Sequence, residues 1–468
     1  MNKPTLTCWG GVGSVTGANF LFEVGDPSTP LRTRKILIDC GLLQGVSNEN
    51  TINALKFDYD PASIDFLFIT HAHADHIGKV PKLVKDGFKG TIYSTPETKA
   101  ISELMLADMA KINEGNARAS QTIPLYTAVD VEKSMGMWQT INYHETKDFD
   151  GFKLELFDAG HILGSTMYKF TVLYPEQGRG AEQSIVFSGD IGNSPSPILR
   201  STEVISGAKY LLMESVYGDR NHESKSDRDA KFKAVISEVI EKKSTLLIPI
   251  FSLERTQVIL YELNLLFESK QLKSIPVFLD SPLAIHVTEV YERITKDYNN
   301  EIKAEIKGGD DIFKFPKLKE TAQVRDSKEI INVPGPKIIL AGSGMSTAGR
   351  ILDHEQIYLP DSNTVLLLVG YQAPGTLGRM LDEGAKEVMI HGQKIKVNAR
   401  VDKIDGFSAH ADSNQLVDFV SHTANTLTNV FVVMGEPKSS IFLAQRLNDE
   451  LGVKAIVPER GKRYELDL

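Results

Sequence analysis

Residues 71–76 read His-Ala-His-Ala-Asp-His and form the densest group of potential metal ligands in the chain. They follow a short apolar run, Phe66–Thr70, that has the composition of a β-strand. They precede residues Ile77–Lys85, for which we predict a helix. The pattern therefore predicts a strand that delivers metal ligands into a turn at the start of a helix.

Each ligand in this group has a plausible position on a metal. Residues two apart in an extended segment point the same way, so His71 and His73 can bind one ion. Asp75 and His76 open the helix and can face a second ion beside the first. Neutral imidazole and carboxylate are ligands that zinc takes. The strand-turn-helix context favours a catalytic zinc centre over a histidine-rich surface loop or an isolated structural zinc site.

Other apolar runs also end in a histidine or a carboxylate, namely Asp39 after residues 36–38, His161 after 153–159 and Asp190 after 184–189. Ligands gathered at one edge of a sheet are typical of α/β proteins. Alone, Asp39 would be interpreted as a turn residue. Beside the histidines it is a candidate for orienting the ligands through hydrogen bonds instead of binding metal directly.

The bulk composition restricts the class of protein. The 468 residues suggest two or three domains. A formal net charge of -9 argues against a surface coated with positive charge for binding nucleic acid, although it permits a local basic groove. Two cysteines, Cys8 and Cys40, are too few for a disulfide framework and fit a reducing compartment. The first residues lack the apolar stretch of a signal peptide, and no run reaches membrane-spanning length. We expect a cytoplasmic protein with no membrane partner.

The spacing of these candidate ligands resembles that of hydrolases with the metallo-β-lactamase fold. The residues that show this resemblance are Asp39, His71-x-His73-x-Asp75-His76, His161 and Asp190. This resemblance implies a four-layer αββα sandwich with one or two zinc ions. It implies one zinc on His71, His73 and His161. It implies a second zinc on Asp75 and His76, with Asp190 and a hydroxide bridging the two ions.

Later segments resemble landmarks of the β-CASP nucleases. Leu211–Arg220 is similar to the motif that opens the inserted β-CASP domain, and Gly406–Asp412 to the motif that carries an additional catalytic histidine; further similar segments are 249–257, 280–284, 342–350, 370–379 and 458–461. The resemblance is to the compact bacterial and archaeal RNA-processing enzymes. It implies a zinc-dependent endonuclease, 5′-exonuclease or both, which hydrolyses phosphodiester bonds of single-stranded RNA with a metal-activated hydroxide.

The same resemblance implies roles for residues outside the ligand cluster. His410 would be the general acid that protonates the leaving oxygen, and Glu214 would orient its imidazole and raise its pKa. Asp190 and Asp39 complete the predicted catalytic residues. Donors for the RNA phosphates are predicted at Arg255, Arg350, Arg379, Ser343 and Ser408.

One position departs from the family pattern. The family's last metal ligand is a histidine in a strand-end His-Gly-Glu sequence, and here the stretch reads Met434-Gly435-Glu436. A thioether is a weak ligand for zinc, so we expect two zinc sites of which the second is weakened. An alternative is a weakened or inactive RNA-binding scaffold. A small-molecule hydrolase is less favoured, because the inserted domain would cover the site. Family members also suggest a homodimer through residues 438–468.

The domain organisation follows from the same segments. We predict a metallo-β-lactamase domain over residues 1–205 and 396–468 and an inserted β-CASP domain over 206–395. In the insertion, strands alternate with helices, which predicts a parallel sheet. We also predict a long helix over 286–307 and a flexible loop over 308–334. A strand over 394–401 would then return the chain to the first domain.

Overall fold

The computed structural model describes residues 3–25, 33–46, 48–173 and 183–468. Residues 1 and 2, which belong to the N-terminal stretch for which no signal peptide is predicted, lie outside the described residues. The described chain forms two compact units. The first unit falls within Met1–Gln44, Asn48–Asn221 and His410–Leu468, and the second within Gly45–Ser47 and His222–Ala409.

The N-terminal part of the first unit forms most of two sheets. The strands of the first sheet are β1 Thr5–Cys8, β2 Phe20–Gly25, β3 Thr33–Ile38, β4 Phe66–Phe68, β5 Thr91–Ser94 and β6 Trp138–Thr140. The strands of the second sheet are β7 Thr146–Phe149, β8 Phe152–Asp158, β9 Thr166–Val172, β10 Gln183–Phe187 and β11 Tyr210–Met213. β3 to β6 pair in parallel, and so do β10 and β11, while β7 to β10 are antiparallel neighbours. Several strands consequently end at the same edge of each sheet.

The two sheets pack face to face through a core rich in phenylalanine. Phe22 and Phe68 of the first sheet belong to one buried cluster with Phe152, Phe170 and Phe187 of the second. The rings of Phe68 and Phe170 meet edge to face with centroids 5.3 Å apart. Each phenylalanine that is fully buried stabilises the fold by about 1.5–3 kcal/mol through removal of apolar surface from water. This shared core fixes the edges of the two sheets against each other.

Helices connect these strands: α1 Glu49–Ala54, α2 Ala74–Ile77, α3 Val80–Lys85, α4 Pro96–Ser120 and α5 Ala128–Gly136, with a short 3-10 helix at Pro61–Ser63. The helix predicted over 77–85 is thus two short helices. α4 begins where Thr95 accepts a hydrogen bond from the Thr98 N–H and Pro96 takes the first helical position, both of which favour helix initiation.

The second unit is an α/β unit around a parallel sheet. Its elements are α6 Lys225–Lys242, β12 Thr245–Pro249, α7 Arg255–Glu268, β13 Val277–Asp280, α8 Pro282–Arg293, α9 Asn300–Lys307, β14 Leu318–Glu320, α10 Val324–Glu329, β15 Lys337–Ala341, α11 Arg350–Tyr358, β16 Thr364–Leu368, α12 Leu377–Asp382, β17 Glu387–Ile390, β18 Gln393–Lys396 and β19 Arg400–Lys403. Short 3-10 helices lie at Ile330–Asn332 and Asp405–Phe407. The sheet order is β14-β13-β15-β12-β16-β19 and each pair is parallel, as predicted, while β17 and β18 form a separate hairpin.

The C-terminal segment returns to the first unit and completes both sheets with α13 Ser413–Ser421, β20 Asn429–Val432, α14 Pro437–Leu451, β21 Ala455–Ile456 and β22 Arg463–Glu465. β20 joins β11, β21 joins β20, and β22 joins β1. α13 and α14 cover the outer face of the second sheet, where Leu416 and Leu447 pack in one buried cluster with Val430 and Val432. The predicted αββα sandwich with an inserted α/β domain is confirmed.

Both domain boundaries differ from the predicted 205/206 and 395/396. β11 pairs with β10 and therefore belongs to the first unit. β19 pairs with β16, so the chain is still in the second unit at residue 403. The strand predicted over 394–401 is instead the end of a hairpin followed by an edge strand, and the return to the first unit comes at His410.

Two further predictions for the insertion were wrong. The helix over 286–307 is broken between α8 and α9, because Asn299 caps α9 by accepting a hydrogen bond from the Ile302 N–H. Tyr298 is fully buried beside that break and donates its hydroxyl to the Tyr291 carbonyl. The loop predicted over 308–334 contains β14 and α10, and it is anchored by the buried side chains of Ile312, Phe313, Phe315 and Ile330.

Within the described ranges, no helix combines the length and apolar composition needed to cross a bilayer.

Candidate active site

The predicted ligands lie at the ends of strands of the first unit. Asp39 follows β3, the 71–76 segment follows β4, and the loop after β8 carries His161. Asp190 follows β10, and Glu214 follows β11. Because β3 and β4 are parallel, as are β10 and β11, the ends of each pair share an edge, and the packed sheets bring both edges together.

Four side chains converge on what we call the first metal position: His71, His73, His161 and Asp190. The Nδ1 of His73 lies 3.1 Å from Nε2 of His71 and 3.2 Å from Nε2 of His161. Asp190 Oδ2 lies 3.4 Å from His71 Nε2 and 3.6 Å from His161 Nε2. These ligand atoms all lie within 4.8 Å of one another. Such a set of converging nitrogens and a carboxylate oxygen matches the donors of a zinc site.

Burial keeps these imidazoles in the form that binds metal. Removal from water lowers the pKa of His71, and the neighbouring His76 lowers it further, while Asp190 and Asp39 act in the opposite direction. Burial also lowers the pKa values of His73 and His161 well below their usual range. A neutral imidazole presents a lone pair, which is what a metal ion requires.

A second group, which we call the second metal position, consists of Asp75, His76 and Asp190. His76 Nε2 lies 3.7 Å from Asp75 Oδ2 and 3.5 Å from Asp190 Oδ1. His76 Nε2 and Asp190 Oδ1 are buried and have no hydrogen-bond partner among the residues that the structure describes. Buried polar atoms are otherwise nearly always paired, so two orphaned atoms facing each other fit a cation between them.

Asp39 holds this second group in position. Its carboxylate accepts hydrogen bonds from the Thr70 N–H and the Thr70 hydroxyl, both at 2.8 Å, and from His76 Nδ1, also at 2.8 Å. The bond to Nδ1 leaves His76 Nε2 to face the second metal position. Thr70 also lies 3.0 Å from His71 Nδ1 through its hydroxyl. Sequence analysis missed Thr70, although a hydroxyl residue directly before the ligands at a strand end was a readable signal.

His410 and Glu214 form a pair beside Asp190. His410 Nδ1 lies 3.2 Å from Glu214 Oε1 and 3.8 Å from Asp190 Oδ2. Glu214 is fully buried and is fixed by the backbone N–H groups of Ile191, at 2.7 Å, and Val216, at 3.3 Å. Burial acts to lower the pKa of His410, but the carboxylates of Glu214, Asp190 and Asp75 together outweigh it and raise that pKa to about 9, with Glu214 contributing most of the increase. His410 is therefore cationic near neutral pH, unlike the histidines of the first metal position.

Met434 follows β20 and lies on the inner side of the site. Its side chain is buried, and its backbone N–H donates to the Gly11 carbonyl at 2.6 Å. Its φ of 49° is in the left-handed region. A small cavity is lined by Met434 and His76 together with Asp39, Thr70 and surrounding apolar side chains. Met434 and His76 of the second metal position therefore line the same cavity. This is the place in which the sequence alignment with the family pattern predicts Met434 in the position of a metal ligand.

The predicted phosphate donors all belong to the second unit. Arg350 pairs with the buried Asp280 at 2.7 Å, and Arg379 pairs with Glu383 at 2.6 Å. Arg255, at the start of α7, and Ser408 are both buried. The hydroxyl of Ser343 accepts hydrogen bonds from the N–H groups of Thr347 and Ala348. At the ends of β12, β13, β15 and β16 the parallel sheet presents the edge at which α/β units commonly bind ligands.

Comparison with known protein families divides the chain into three matched segments. A metallo-beta-lactamase superfamily domain matches residues 31–212, and a Beta-Casp domain matches residues 256–381. A Zn-dependent metallo-hydrolase RNA specificity domain matches residues 394–458. The matches cover both the sandwich and the inserted unit.

Individual proteins match along most of the chain. Ribonuclease TTHA0252 of Thermus thermophilus is 32% identical, over 94% of this chain and 95% of its own length. Cleavage and polyadenylation specificity factor 73 of Drosophila melanogaster is 32% identical, over 86% of this chain and 56% of its own length. Transcription termination factor FttA of Methanosarcina mazei is 30% identical, over 96% and 69%.

A solved structure shares the fold. The crystal structure of a protein of unknown function from Enterococcus faecalis V583 superposes with a TM-score of 0.54, covering 99% of this chain and all of that chain. The two sequences are 14% identical, so the likeness concerns the fold alone.

Proposed function

Because the chain belongs to the β-CASP family of metallo-β-lactamase-fold nucleases, a group of metal-dependent RNA-processing hydrolases, we propose that it is a zinc-dependent ribonuclease acting on single-stranded RNA. The observation that carries this proposal is the convergence of buried neutral imidazoles on Asp190 at the first metal position. The full-length match to a protein named as a ribonuclease supports RNA as the substrate.

Zinc is the metal that suits the donor set. Three imidazole nitrogens and a carboxylate at the first metal position are typical zinc ligands, whereas magnesium and calcium prefer all-oxygen sites. The second metal position, with Asp75, His76 and Asp190, would hold a second zinc ion more weakly, because Met434 replaces the histidine expected there. When bound, such ions lower the pKa of a water nucleophile and neutralise charge that develops on a phosphate.

The protein groups around the metals would then direct the cleavage. Asp190 lies between the two metal positions and can hold both ions at a fixed separation. His410, cationic at neutral pH, can donate a proton to the leaving oxygen. Glu214 keeps the His410 ring oriented, because its carboxylate bonds Nδ1 and is itself fixed by two backbone N–H groups. Asp39 orients His76 in the same manner.

RNA binding is proposed to involve Arg255, Arg350, Arg379, Ser343 and Ser408 of the second unit. Guanidinium and hydroxyl groups are suitable donors for phosphate oxygens. Because Arg350 and Arg379 are paired with carboxylates, a phosphate would have to compete with Asp280 and Glu383 for them. The net charge of -9 repels RNA from most of the surface and so favours binding at such local donors.

Three further attributes belong to the same proposal. Cleavage is proposed to be endonucleolytic, 5′-exonucleolytic or both. Dimerisation through residues 438–468 and a cytoplasmic location are also proposed, the latter because Cys8 and Cys40 are both free and buried, as in proteins of reducing compartments.

The test is cleavage of an end-labelled single-stranded RNA by purified protein with added zinc. We expect cleavage by the wild type and none by His73→Ala, because His73 supplies one of the four ligands that converge at the first metal position. A ladder of internal products would indicate an endonuclease, and release of single nucleotides an exonuclease. RNA that stays intact with zinc-loaded wild-type protein, although it binds, would contradict the proposal and favour an RNA-binding scaffold.

A further inference from the structure

Three segments of the first unit lie side by side: 159–161, which carries His161; 190–192, which carries Asp190; and 409–411, which carries His410. The Gly192 N–H donates a hydrogen bond to the Ala159 carbonyl at 2.8 Å, and the Ala411 N–H donates to the Ile191 carbonyl, also at 2.8 Å. The middle segment is therefore bonded on one side to the backbone beside a metal ligand and on the other to the backbone beside the proposed proton donor.

The first two of these segments pack so closely that only glycine fits between them. A Cβ atom added to Gly192 would lie 2.0 Å from the Gly160 carbonyl oxygen, and one added to Gly160 would lie 2.7 Å from the Thr202 backbone nitrogen. The rings of His161 and His410, on the two outer segments, have centroids 4.6 Å apart. Any displacement between the segments would therefore change the spacing of a metal ligand and the proton donor.

A fourth segment, residues 194–203, joins the first two. Its Thr202 hydroxyl donates to the Ala159 carbonyl at 2.9 Å and lies 3.3 Å from the Gly192 carbonyl. The Thr202 N–H donates to Ser194 Oγ at 2.9 Å, which closes the 194–203 segment on itself. One hydroxyl group thus contacts a backbone carbonyl of each segment.

An ion pair of the same segment fixes the approach to His161. The Arg200 guanidinium lies 3.0 Å through Nε and 2.8 Å through Nη2 from Asp158 Oδ2. The other oxygen of that carboxylate accepts a hydrogen bond from the Gly160 N–H at 2.9 Å. Hydrogen bonds between charged groups are stronger than those between neutral groups. Arg200 therefore holds the carboxylate that holds the residue before His161.

The 194–203 segment is also tied to the segment that carries His410. Gln415 Nε2 donates to the Ser194 carbonyl at 2.6 Å, and Gln415 Oε1 accepts from the Asp412 N–H at 3.0 Å. Gln415 lies in the first turn of α13, which begins at Ser413. Its amide consequently connects the 194–203 segment to the start of the helix that directly follows His410.

We propose that the 194–203 segment sets the spacing between His161 and His410, and that Thr202 and Gln415 are positioning residues of the active site. This inference rests on the proposed ribonuclease function. Thr202 acts on His161 through the Ala159 carbonyl, and so supports zinc binding. Gln415 acts on His410 through the start of α13, and so supports proton donation to the leaving oxygen.

The first experiment compares Thr202→Val, which removes the hydroxyl but keeps the shape, with Thr202→Ser, which keeps the hydroxyl. In zinc titrations of metal-free full-length protein, Thr202→Val should bind the first zinc about 10–100-fold more weakly, the usual effect of losing a group that supports a metal ligand. Thr202→Ser should bind it like the wild type. Cobalt(II) bound in place of zinc should show an altered visible absorption spectrum in Thr202→Val only. The control, Thr122→Val, removes an exposed hydroxyl that lies 3.1 Å from that of Ser120.

The second experiment uses Gln415→Glu, which keeps the oxygen that accepts from Asp412 but replaces the amide donor that faces the Ser194 carbonyl. Its zinc affinity should equal that of the wild type. Its single-turnover rate of RNA cleavage should be lower by up to about 10²-fold, because a displacement of about 1 Å at a reacting group can have that effect. Gln139→Glu, at an exposed position of β6, is the control and should cleave like the wild type.

Wild-type zinc affinity and an unaltered cobalt spectrum in Thr202→Val would overturn the inference, as would wild-type cleavage by Gln415→Glu. Failure of Thr202→Ser to restore zinc binding would also overturn it, because the effect would then not come from the hydroxyl. If Thr202→Val does not fold, Gln415→Glu still tests the inference. A wild-type protein that binds zinc but cleaves no RNA contradicts the proposed function instead, and the zinc and cobalt measurements still test the role of Thr202.

Discussion

His410 differs in its charge from the three histidines of the first metal position, His71, His73 and His161. The histidines of the first metal position are kept neutral by burial. At His410, nearby carboxylates, Glu214 above all, together outweigh burial and raise the pKa to about 9. Imidazoles a few ångströms apart can therefore serve opposite purposes, as metal ligands and as a proton donor. The difference comes from which carboxylate each ring contacts.

Removal of this proton donor gives the first prediction. His410→Ala should lower the rate of RNA cleavage about 10²–10⁴-fold, the usual contribution of general acid catalysis, while zinc content stays unchanged. Single-turnover cleavage with metal analysis of the same samples measures both. The matched control is His422→Ala, which removes an exposed histidine paired only with Asp418 at 3.7 Å. Equal cleavage by His410→Ala and the control would show that His410 is not the acid.

At this scale the sequence singled out the candidate ligands that the structure brings together, and it also singled out Asp39 and Glu214 as groups that orient them, but it did not single out every residue that holds them in place. The 71–76 spacing and the strand-end positions of Asp39, His161 and Asp190 could be recognised, because ligand chemistry is local to each residue. Thr70 was missed although it stands directly before the ligands, whereas nothing local to Gly11 marks that residue. Their importance comes from residues distant in the chain, namely Asp39 for the Thr70 hydroxyl and Met434 for the Gly11 backbone.

At the scale of single elements, α11 carries a buried carboxyl group that is not part of the active site. Glu355 is completely buried, and its Oε1 accepts a hydrogen bond from the Ser346 hydroxyl at 2.5 Å. Its Oε2 has no partner among the described residues. Burial raises the pKa of Glu355 to about 8. Below that pH the group is neutral in the folded protein.

This burial predicts how stability varies with pH. The folded state keeps the Glu355 proton up to about pH 8, whereas an unfolded chain loses it near its ordinary pKa of about 4.3. Its contribution to the free energy of unfolding is therefore fully present below about pH 4.3 and is lost as pH rises towards 8. The loss amounts to about 1.4 kcal/mol for each unit between the two pKa values.

Glu355→Gln tests this sign. The amide stays neutral at every pH. The melting temperature of the variant minus that of the wild type should therefore be larger at pH 8.5 than at pH 5. Glu241→Gln, at an exposed position of α6, is the control and should show no such change. A difference between Glu355→Gln and wild type that is constant with pH would contradict the prediction.

Element boundaries show where sequence reasoning was insufficient. The alternation of strands and helices predicted the parallel sheet of the second unit correctly. The break between α8 and α9 was missed because the charged composition of residues 286–307 favours a continuous helix, whereas Asn299 caps α9 and Tyr298 is buried beside the break. Residues 308–334 were taken for a loop because their polar composition masks a few buried apolar anchors.

At the scale of the whole molecule, the first unit is discontinuous in sequence. The chain leaves it after Asn221 and returns at His410. The two ends of this break are hydrogen bonded, because the Asn414 N–H donates to Asn221 Oδ1 at 3.1 Å and the Ser413 N–H donates to the Arg220 carbonyl, also at 3.1 Å. A short connection can therefore replace the second unit without moving either end.

This proximity predicts that the first unit folds alone. Replacement of residues 222–409 by a short Gly-Ser linker should leave a protein that unfolds cooperatively and binds zinc at the first metal position, since every ligand there lies in the first unit. Circular dichroism and metal analysis measure these properties. The matched variant carrying His73→Ala should fold but lose the zinc. An excised protein that is unfolded with zinc present would contradict the prediction.

The overall architecture was predictable to the level of the fold class but not of the domain boundaries. The resemblance of the ligand spacing implied the sandwich and its insertion. The boundaries depended on whether β11 and β19 pair with the first or the second unit, and long-range strand pairing leaves no local pattern in the sequence. The Met434 backbone N–H likewise donates to the carbonyl of Gly11, more than four hundred residues earlier in the chain.

The central claim is that metal bound at this cluster is required for cleavage of RNA, and removal of the metal tests it most directly. Full-length protein should be freed of metal with a chelator, and single-turnover cleavage of single-stranded RNA measured before and after zinc is added back. We expect cleavage to be lost with the metal and restored by zinc in the wild type, but not in His73→Ala. Undiminished cleavage by the metal-free protein would contradict the account.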